Sequence, residues 1–600
     1  MASSRRSLLG ESRFALIAPV VALVAYLPAI VVPYAFMDDY FVLAWREGLG
    51  GEFFKTATSF GRPLHAVFLR GAFSLATDID SLRLVRLLSL VGVMTLAVLL
   101  YHALRQAGFG PWFSTGVCVS VVSLASFQVY VSWASCSEAS YAAILGGLAW
   151  LRLRSAFELS GRGALIRRAE AAALLLCALL VYQPTAMFFW VFAAIDALRP
   201  SEQIGQAWRK LAAGLGVAAV AMFFAYAAVR VGVHFYGGAT SGRTNLVHDF
   251  IGKARWFWNE PIVNSFGMSG LVPTETLALA LAALAAVGIL LLHAESGWGA
   301  LGFLGLAVAL IPLSYLPNLA VAEQFASYRS IGALATLLTI YVWLGLCGIA
   351  RFLLGSEALP RVGLGAARMV ALALAALLSF VLLAGTFVPL AQVLRSAQAA
   401  RASSGLLTSW QGLVAFGLLL VVFAGLALLV TRSSAQRART PVIAAGVLAV
   451  SAFVFTGVLV AARDVTTLVV KPQSAEVQLL RSALHNPGVP APGRVVFVKP
   501  SSSQGAAPLV RYDEFGPPST YFPWVPNPAV LLVLRERLQR PQPEIEVLAW
   551  DQAPATRRAP GDAFVDMRDL RQRRVGWQLW TLEAASTAMP TGAGPSARRR

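Results

Sequence analysis

Two adjacent carboxylates, Asp38 and Asp39, are the residues of this sequence best placed to do chemistry. They follow an apolar segment, residues 14–36, that carries no charge. Carboxylates at the edge of a membrane are costly unless they are solvated, paired or used in function. A carboxylate can take a proton from a hydroxyl group, and an acidic pair can instead hold Mg²⁺ or Mn²⁺. We therefore predict that Asp38 and Asp39 are catalytic, with metal dependence left open.

Cationic and amide side chains that suit a phosphate-bearing substrate lie in three later segments. Arg62 stands in a Gly-Arg-Pro turn, and His65 follows three residues later. Gln183 belongs to a Tyr-Gln-Pro motif, and Tyr328 and Arg329 end a short loop. The arginine fork binds phosphate in a bidentate manner, and an amide can bond a sugar or a phosphate oxygen. These five residues are our predicted substrate-binding residues.

Each motif also has a structural interpretation. Asp39 can pair with Arg46, Pro184 can close a tight hairpin between short helices, and Arg329 can extend to the membrane interface as long cationic side chains do. The aromatic and charged stretch 243–260 suits either a sugar platform or an interfacial helix. The conspicuous YDEFG motif at 512–516 is more typical of a loop than of a site.

The composition predicts an α-helical polytopic membrane protein. Of the 600 residues, 57% are hydrophobic and 13% are charged, whereas a soluble chain has about 25% charged residues. The net charge of +19 invites a nucleic-acid interpretation. However, the arginines cluster in short loops between apolar segments, as membrane topology requires. We therefore expect membrane lipids as partners and no nucleic acid.

About 20 apolar residues span a membrane. Thirteen segments qualify as candidates: 14–36, 84–103, 112–133, 139–153, 170–183, 185–198, 211–232, 274–293, 299–317, 331–350, 369–390, 409–431 and 441–462. Three of them are short, which predicts tilted, broken or re-entrant helices. Basic residues recur at alternate loops, so the N-terminus is expected in the cytoplasm of a bacterial cell and the chain in its inner membrane. Loops 37–83, 233–273 and 318–330 would then be external.

The sequence divides into a transmembrane domain over 1–462 and a C-terminal α/β domain over 463–590. Residues 494–498 and 544–549 are predicted strands, and 527–539 a helix with a proline near its start. An odd number of spans places this domain in the periplasm. The last ten residues, 591–600, are predicted to be a disordered basic tail.

Three motifs together resemble a known enzyme family. The Asp-Asp pair after the first span, the Gly-Arg-Pro turn and the Tyr-Gln-Pro motif at an external helix end are similar to those of the type II Gtr class of O-antigen glucosyltransferases. More broadly they resemble the GT-C superfamily, multispan enzymes that use polyprenyl-phosphate sugars. The resemblance is best over residues 1–200. It implies catalytic roles for Asp38 and Asp39, with Arg62 and Gln183 in support.

We therefore expect a membrane glycosyltransferase of the cell envelope. It would move a sugar from a polyprenyl-phosphate donor to an extracytoplasmic glycan, such as lipopolysaccharide O-antigen, or to a lipid-linked acceptor. One alternative is an O-antigen polymerase or ligase, with its cationic residues in loop 233–273. Another is a lipid or glycolipid transporter without catalysis, which should carry ionisable groups at mid-membrane and repeated halves; the sequence shows neither.

Overall fold

In the computed structural model the chain is mainly helical. The structure describes residues 2–45, 52–236, 245–268, 273–354, 439–485, 492–500, 514–515, 517–538, 543–552, 562–575 and 579–584. Outside these ranges lie the predicted spans 369–390 and 409–431, the tail 591–600 and Arg46. Of the 512–516 motif, only Glu514 and Phe515 are described.

The first half of the chain forms a run of helices of very different lengths. They are α1 (Ala2–Val31), α2 (Asp38–Ala44), α3 (Glu52–Ser59), α4 (Pro63–Phe73), α5 (Leu82–Gln106), α6 (Pro111–Val122), α7 (Ala125–Ser132), α8 (Glu138–Ala156), α9 (Gly161–Ala186), α10 (Phe188–Ala197) and α11 (Ile204–Tyr236). Proline shapes several boundaries, because its fixed φ favours the first helical turn and excludes the residue before it from the helical region. It opens α4 and α6, and α1 ends two residues before Pro33.

The second half continues with helices up to a mixed C-terminal region. They are α12 (Phe250–Phe257), α13 (Val263–Ser265), α14 (Glu275–Leu292), α15 (Gly299–Leu313), α16 (Leu316–Ala320), α17 (Gly332–Leu354), α18 (Arg439–Asp464), α19 (Lys471–Leu484) and α20 (Pro526–Arg535). A π-helical stretch, Val465–Val470, joins α18 to α19 without a break. Residue 463, the predicted start of the C-terminal domain, therefore lies inside a continuous helix, and the domain boundaries stay predictions.

Six helices in the described part of the chain are long and apolar enough to cross a membrane: Arg13–Val31, Leu82–Gln106, Ile204–Phe235, Glu275–Leu292, Gly332–Phe352 and Val450–Leu484. Two bent pairs, α6 with α7 and α9 with α10, raise the number to eight if each pair is one span. These helices indicate a membrane protein, as predicted. The count of thirteen spans stays a prediction.

Two pairs of helices are bent, one at the short segments 170–183 and 185–198, for which the sequence predicts tilted, broken or re-entrant helices, and one at 112–133, for which it predicts a full-length span. Segment 112–133 is two helices, α6 and α7, that meet at 59°. Segments 170–183 and 185–198 belong to α9 and α10, which meet at 80°. Within α9, Tyr182 has non-helical angles of φ −157° and ψ 103°. Pro184 explains this break, because proline lacks the N–H that a helix needs and its ring clashes with the preceding turn.

The helical bundle packs around one large hydrophobic core in which Trp150 of α8 and Trp190 of α10 are fully buried. The helices approach closely here. A Cβ atom at Gly146 would lie 2.4 Å from the carbonyl oxygen of Ala186. The small side chain lets α8 pack directly against the end of α9, and this contact holds the bend in place.

The C-terminal region contains a parallel sheet of three strands. Strand β1 (Arg494–Val498) lies between β2 (Glu544–Leu548) and β3 (Ala563–Asp566), while β4 (Leu570–Val575) and β5 (Leu579–Ala584) form an antiparallel pair. A second hydrophobic core joins this region to residues 37–83: Tyr40 of α2 and Phe73 of α4 are buried in the same cluster as Leu480 of α19. The C-terminal region is thus packed onto the segment that carries the acidic pair.

Candidate functional site

The Gly-Arg-Pro turn and the Tyr-Gln-Pro motif meet in the structure. The Arg62 Nε donates a hydrogen bond to Gln183 Oε1 at 2.9 Å, and Gln183 Nε2 donates to the carbonyl oxygen of Gly61 at 2.6 Å. The Arg62 guanidinium also lies 4.5 Å from the centre of the Tyr182 ring, a cation–π distance. The kink at Tyr182 and the turn at Gly61 therefore form one polar unit.

Two features of this turn favour glycine at position 61. Its φ of +79° lies in the left-handed region that disfavours other residues. In addition, a Cβ atom there would lie 2.9 Å from Gln183 Nε2, closer than side-chain atoms normally approach. The turn can present Arg62 to Gln183 because residue 61 has no side chain.

This unit forms one wall of a cavity of about 300 Å³ that also contains Arg329. Among the described residues that line it, the charged side chains are Arg62, Arg230, Arg329 and Glu323. Three guanidinium groups against one carboxylate make the cavity cationic. Such a site attracts an anion, and arginine offers it a planar pair of donors.

The remaining wall of the cavity is largely apolar. It comes from α9, α11, α16 and the segment after α16, and includes Leu179, Met222, Val229, Val321 and Phe325. Tyr226 of α11 also lines the cavity and is 54% exposed. The cavity thus combines a cationic end with an apolar side, and part of the apolar side is formed by a candidate membrane span, α11.

Arg329 is held at the cationic end by several contacts. Its guanidinium lies 4.5 Å from the Trp133 ring centre, Nη1 lies 3.8 Å from Cys136 Sγ, and Nε lies 3.5 Å from Glu514 Oε1. The Tyr130 hydroxyl donates to the Arg329 carbonyl at 2.9 Å. About a quarter of the side chain, 23%, is exposed. Arg329 is therefore fixed in position but still reaches the cavity.

Burial by itself would lower the pKa of Arg329, but the acidic groups around it raise the pKa above its ordinary value. Those groups are Cys136, Tyr182, Glu514 and Asp38. Asp38 contributes to this effect, although neither Asp38 nor Asp39 is among the described residues that line the cavity. The arginine keeps its positive charge at any physiological pH.

Glu514, from the C-terminal region, was not predicted as a site residue. Its carboxylate accepts hydrogen bonds from the backbone N–H groups of Tyr328 at 2.5 Å and Arg329 at 3.2 Å, and the residue is 2% exposed. The Tyr328 ring lies edge-on to Phe515 at 5.2 Å and is not among the described residues lining the cavity. The only sequence signal for Glu514 was the motif at 512–516, which we interpreted as a loop.

The two carboxylates of the acidic pair have different surroundings. Asp39 is fully buried, and its oxygens accept backbone N–H bonds from Ser135 at 2.7 Å, Phe36 at 3.1 Å and Ala134 at 3.3 Å. Asp38 is half-buried, and its Oδ1 accepts a hydrogen bond from Trp524 Nε1 at 3.0 Å. The arrangement gives Asp39 a supporting position and leaves Asp38 partly open.

Electrostatics around Asp39 involve Arg86, a fully buried residue of α5 that was also not predicted. Burial raises the pKa of Asp39 to about 7, although Arg86 and the N–H groups of Ser135 and Phe36 act in the opposite direction. Arg86 itself donates to the carbonyl oxygen of Ala29 at 2.7 Å. A buried arginine in a candidate span is difficult to predict as a partner, because its charge suggests a loop.

Metal binding at the acidic pair stays a prediction. Within the described ranges, no three His, Cys, Asp or Glu side chains are grouped as metal ligands usually are. Both oxygens of Asp39 already accept N–H bonds, so Mg²⁺ or Mn²⁺ at this pair would need Asp38 as its main protein ligand together with oxygens of a bound phosphate.

His65 lies apart from the cavity lining that the structure describes. Its Nδ1 is 3.2 Å from Glu138 Oε1, and the two side chains are 18% and 3% exposed. Glu138 begins α8, where the positive end of the helix dipole favours a carboxylate. His65 thus lies beside an acid that the sequence analysis did not single out, and its predicted substrate contact stays a prediction.

The aromatic stretch from the 233–273 loop packs beside the cavity. Lys253 Nζ donates to the carbonyl oxygen of Glu323 at 2.6 Å and lies 4.1 Å from the Trp256 ring centre. Burial lowers the pKa of Lys253 to about 8, although Glu323 opposes this. Asp249 caps α12 by accepting from the Gly252 N–H at 2.8 Å. These contacts hold the loop against the cavity-lining segment after α16.

Comparisons with known proteins identify similar folds at a distance. No protein-family model matches the chain, and no curated protein is detectably similar in sequence. The structure is similar to the crystal structure of ArnT from Cupriavidus metallidurans bound to undecaprenyl phosphate, with 13% identity, a TM-score of 0.36, and coverage of 87% of this chain and 84% of that chain. It is also similar to the crystal structure of the same ArnT in the apo state, with 12% identity, a TM-score of 0.38, and coverage of 89% of this chain and 85% of that chain. We draw no functional argument from likeness at this level.

Proposed function

We propose that the chain is a membrane glycosyltransferase that takes its sugar from a polyprenyl-phosphate donor. One observation carries the proposal: Arg62, Gln183 and Arg329 line a single cationic cavity, and the C-terminal region links Arg329 to Asp38, because Glu514 accepts the Arg329 N–H and Trp524 donates to Asp38. The cavity supplies groups for a phosphate, and the carboxylate supplies a base for an acceptor hydroxyl.

The donor fits the two kinds of wall. Its phosphate would lie between the guanidinium groups of Arg62 and Arg329, which the Gln183 bond and the Trp133 ring hold in place. Its polyprenyl chain would follow the apolar wall towards the exposed face of α11. Apolar burial contributes about 25 cal/mol per Å², so a chain several isoprene units long adds substantially to the phosphate contacts.

The reaction would be a direct displacement. Asp38 accepts the proton of the acceptor hydroxyl, and the acceptor oxygen forms a bond to the anomeric carbon of the donor sugar. The bond from that carbon to the phosphate oxygen breaks, and its electron pair leaves with the polyprenyl phosphate. Arg62 and Arg329 offset the charge that develops there. Asp39 supports this geometry by tying α2 to the backbone of Ala134 and Ser135.

The finer parts of the proposal concern location and acceptor. We place the N-terminus in the cytoplasm and the C-terminal region in the periplasm of a bacterial cell, from the arginine distribution. The acceptor would then be an extracytoplasmic glycan, O-antigen in particular, or a lipid-linked sugar. The O-antigen class comes from the motif resemblance alone.

The test is a transfer assay with the purified full-length protein in detergent. Polyprenyl-phosphate hexoses and pentoses are supplied with envelope glycans from a strain that lacks the gene, and the glycans are analysed by mass spectrometry. The proposal predicts a mass increase of one sugar per acceptor and release of polyprenyl phosphate. Glycan chains that grow by whole repeat units would indicate a polymerase or ligase. Donor movement across a vesicle membrane without bond cleavage would indicate a transporter.

A further inference from the structure

The C-terminal region contacts two charged residues of the candidate site, Arg329 and Asp38. Glu514 accepts the backbone N–H groups of Tyr328 and Arg329, and its Oε1 is 3.5 Å from Arg329 Nε. Ten residues later, Trp524 Nε1 donates to Asp38 Oδ1 at 3.0 Å. One short segment of the chain thus touches the proposed phosphate ligand and the proposed base.

The same segment also supports the backbone before the acidic pair. Met37 has a φ of +43°, a conformation that non-glycine residues rarely adopt. Its N–H donates to Ser519 Oγ at 2.8 Å, and Ser519 Oγ in turn donates to Gln473 Oε1 at 2.5 Å. Such a conformation persists when the surrounding structure holds it, and it is common at functional sites. Here part of that support comes from the C-terminal region.

The segment is itself anchored to α19. The Glu476 carboxylate of α19 accepts the backbone N–H groups of Ser519 at 2.8 Å and Thr520 at 3.1 Å, and Glu476 is fully buried. Trp524 packs against Phe522 with ring centres 5.0 Å apart. The segment that contacts Asp38 and Arg329 is therefore held in place by α19.

We propose that residues 514–515 and 517–524 of the C-terminal region are part of the active site, in which Glu514 positions Arg329 for the donor phosphate and Trp524 positions Asp38 for the acceptor hydroxyl. The inference rests on the proposed function and deepens it. It makes the C-terminal region a required part of the catalytic unit rather than an independent extracytoplasmic domain. Both residues act through another side chain, so they are positioning residues.

The test separates donor binding from turnover in length-matched variants. Glu514→Gln keeps the side-chain length but loses the charge that holds Arg329. Trp524→Phe keeps a ring but loses the N–H that reaches Asp38. Glu546→Gln and Trp550→Phe are the matched controls: Glu546 pairs with Arg494 across two strands, and Trp550 is 54% exposed. The binding probe is a short-chain polyprenyl phosphate, with the unphosphorylated polyprenol as its reference.

We expect Glu514→Gln to raise the Kd for the polyprenyl phosphate about tenfold, since a charged hydrogen bond is worth roughly that much. Its kcat at saturating donor should stay within about twofold of wild type, because a loss of uniform binding raises KM and leaves kcat unchanged. Trp524→Phe should have the opposite effect: kcat falls about tenfold and the donor Kd is unchanged. Both controls should match wild type in Kd and kcat.

The outcomes distinguish the two levels of the proposal. If the wild type does not discriminate polyprenyl phosphate from polyprenol, the proposed function and the inference fall together. If the wild type binds but Glu514→Gln binds equally well, the inference is wrong and the function stands. Equal losses in Glu514→Gln and Glu546→Gln would likewise overturn it, because they would show a general loss of stability.

Discussion

Arg62 and Gln183 are joined by a hydrogen bond of 2.9 Å between Nε and Oε1, across 121 residues of sequence. Each residue sits beside a helix interruption: the left-handed turn at Gly61 and the kink at Tyr182. Because the two interruptions pack against each other, the helices that carry them end in one polar unit. This unit forms the cationic end of the cavity that we propose for the donor.

The tight turn at Gly61 provides the first prediction. Gly61→Ala forces a side chain into a left-handed φ and places its Cβ 2.9 Å from Gln183 Nε2. Gly108→Ala is the matched control, because Gly108 has a φ of +89° with no atom within 4 Å of an added Cβ. Both variants should lose about 1–2 kcal/mol of stability from backbone strain. Only Gly61→Ala should also raise the KM for the donor; equal KM values in the two variants would separate the turn from the site.

The arginines of the cavity provide the second prediction. Arg62→Ala and Arg329→Ala should raise the donor KM by roughly 10- to 150-fold, the range for a charge-assisted hydrogen bond of about 1.5–3 kcal/mol. Arg→Lys variants should recover part of this, because lysine keeps the charge and loses the planar fork. Steady-state kinetics with a polyprenyl-phosphate sugar measure the KM of the alanine and the lysine variants. Wild-type KM in both alanine variants would leave these residues as interfacial anchors.

Burial of Asp39 predicts a pH-dependent contribution to stability. Its pKa in the folded protein is about 7, against an ordinary value of 3.8, so the folded state holds this proton over a range in which the unfolded state has lost it. The stabilisation is therefore fully present below about pH 3.8 and is lost as the pH rises through about 7. Since Asn cannot titrate, the Tm of wild type minus that of Asp39→Asn should fall between pH 4 and 7. A difference that grows with pH would show that Asp39 is ionised in the fold.

The parts of the site that the sequence predicted share a common physical origin. Arg62 and Gln183 stand next to glycine and proline, which interrupt helices wherever they occur, and Arg329 stands just before an apolar run. Such local signals mark where a polar side chain leaves a membrane helix. They do not assign function, so the catalytic and binding roles of these residues stay predictions.

The parts that the sequence did not predict are long-range pairs. Glu514 meets Arg329 across 185 residues, and Ser135 meets Asp39 across 96. No periodicity or local propensity encodes such contacts, because they arise when separate elements pack together. The bend at α6 and α7 was not predicted either, because hydropathy reports only that segment 112–133 is apolar. The short segments 170–183 and 185–198 did predict a broken or re-entrant pair, but not the angle of 80° or the close packing at Gly146.

Membrane orientation is the fourth prediction. A cytoplasmic N-terminus and a periplasmic C-terminal region follow from the arginine distribution. An alkaline phosphatase fusion at residue 480 should be active, and a cytoplasmic reporter at the same position should be silent. The reverse pattern would place the acidic pair on the cytoplasmic side, where the proposed acceptor is absent.

The central claim is that Asp38 is the base that activates the acceptor. The most direct measurement is the transfer rate of Asp38→Asn at saturating donor, with the exposed Asp551→Asn as control. Asn keeps the shape of the side chain, including the oxygen that accepts from Trp524, but cannot take a proton. The account predicts a loss of about 10²–10⁴-fold in kcat at normal membrane abundance, with unchanged polyprenyl-phosphate binding and wild-type rates in the control. Transfer by Asp38→Asn at the rate of Asp551→Asn would contradict the mechanism proposed here.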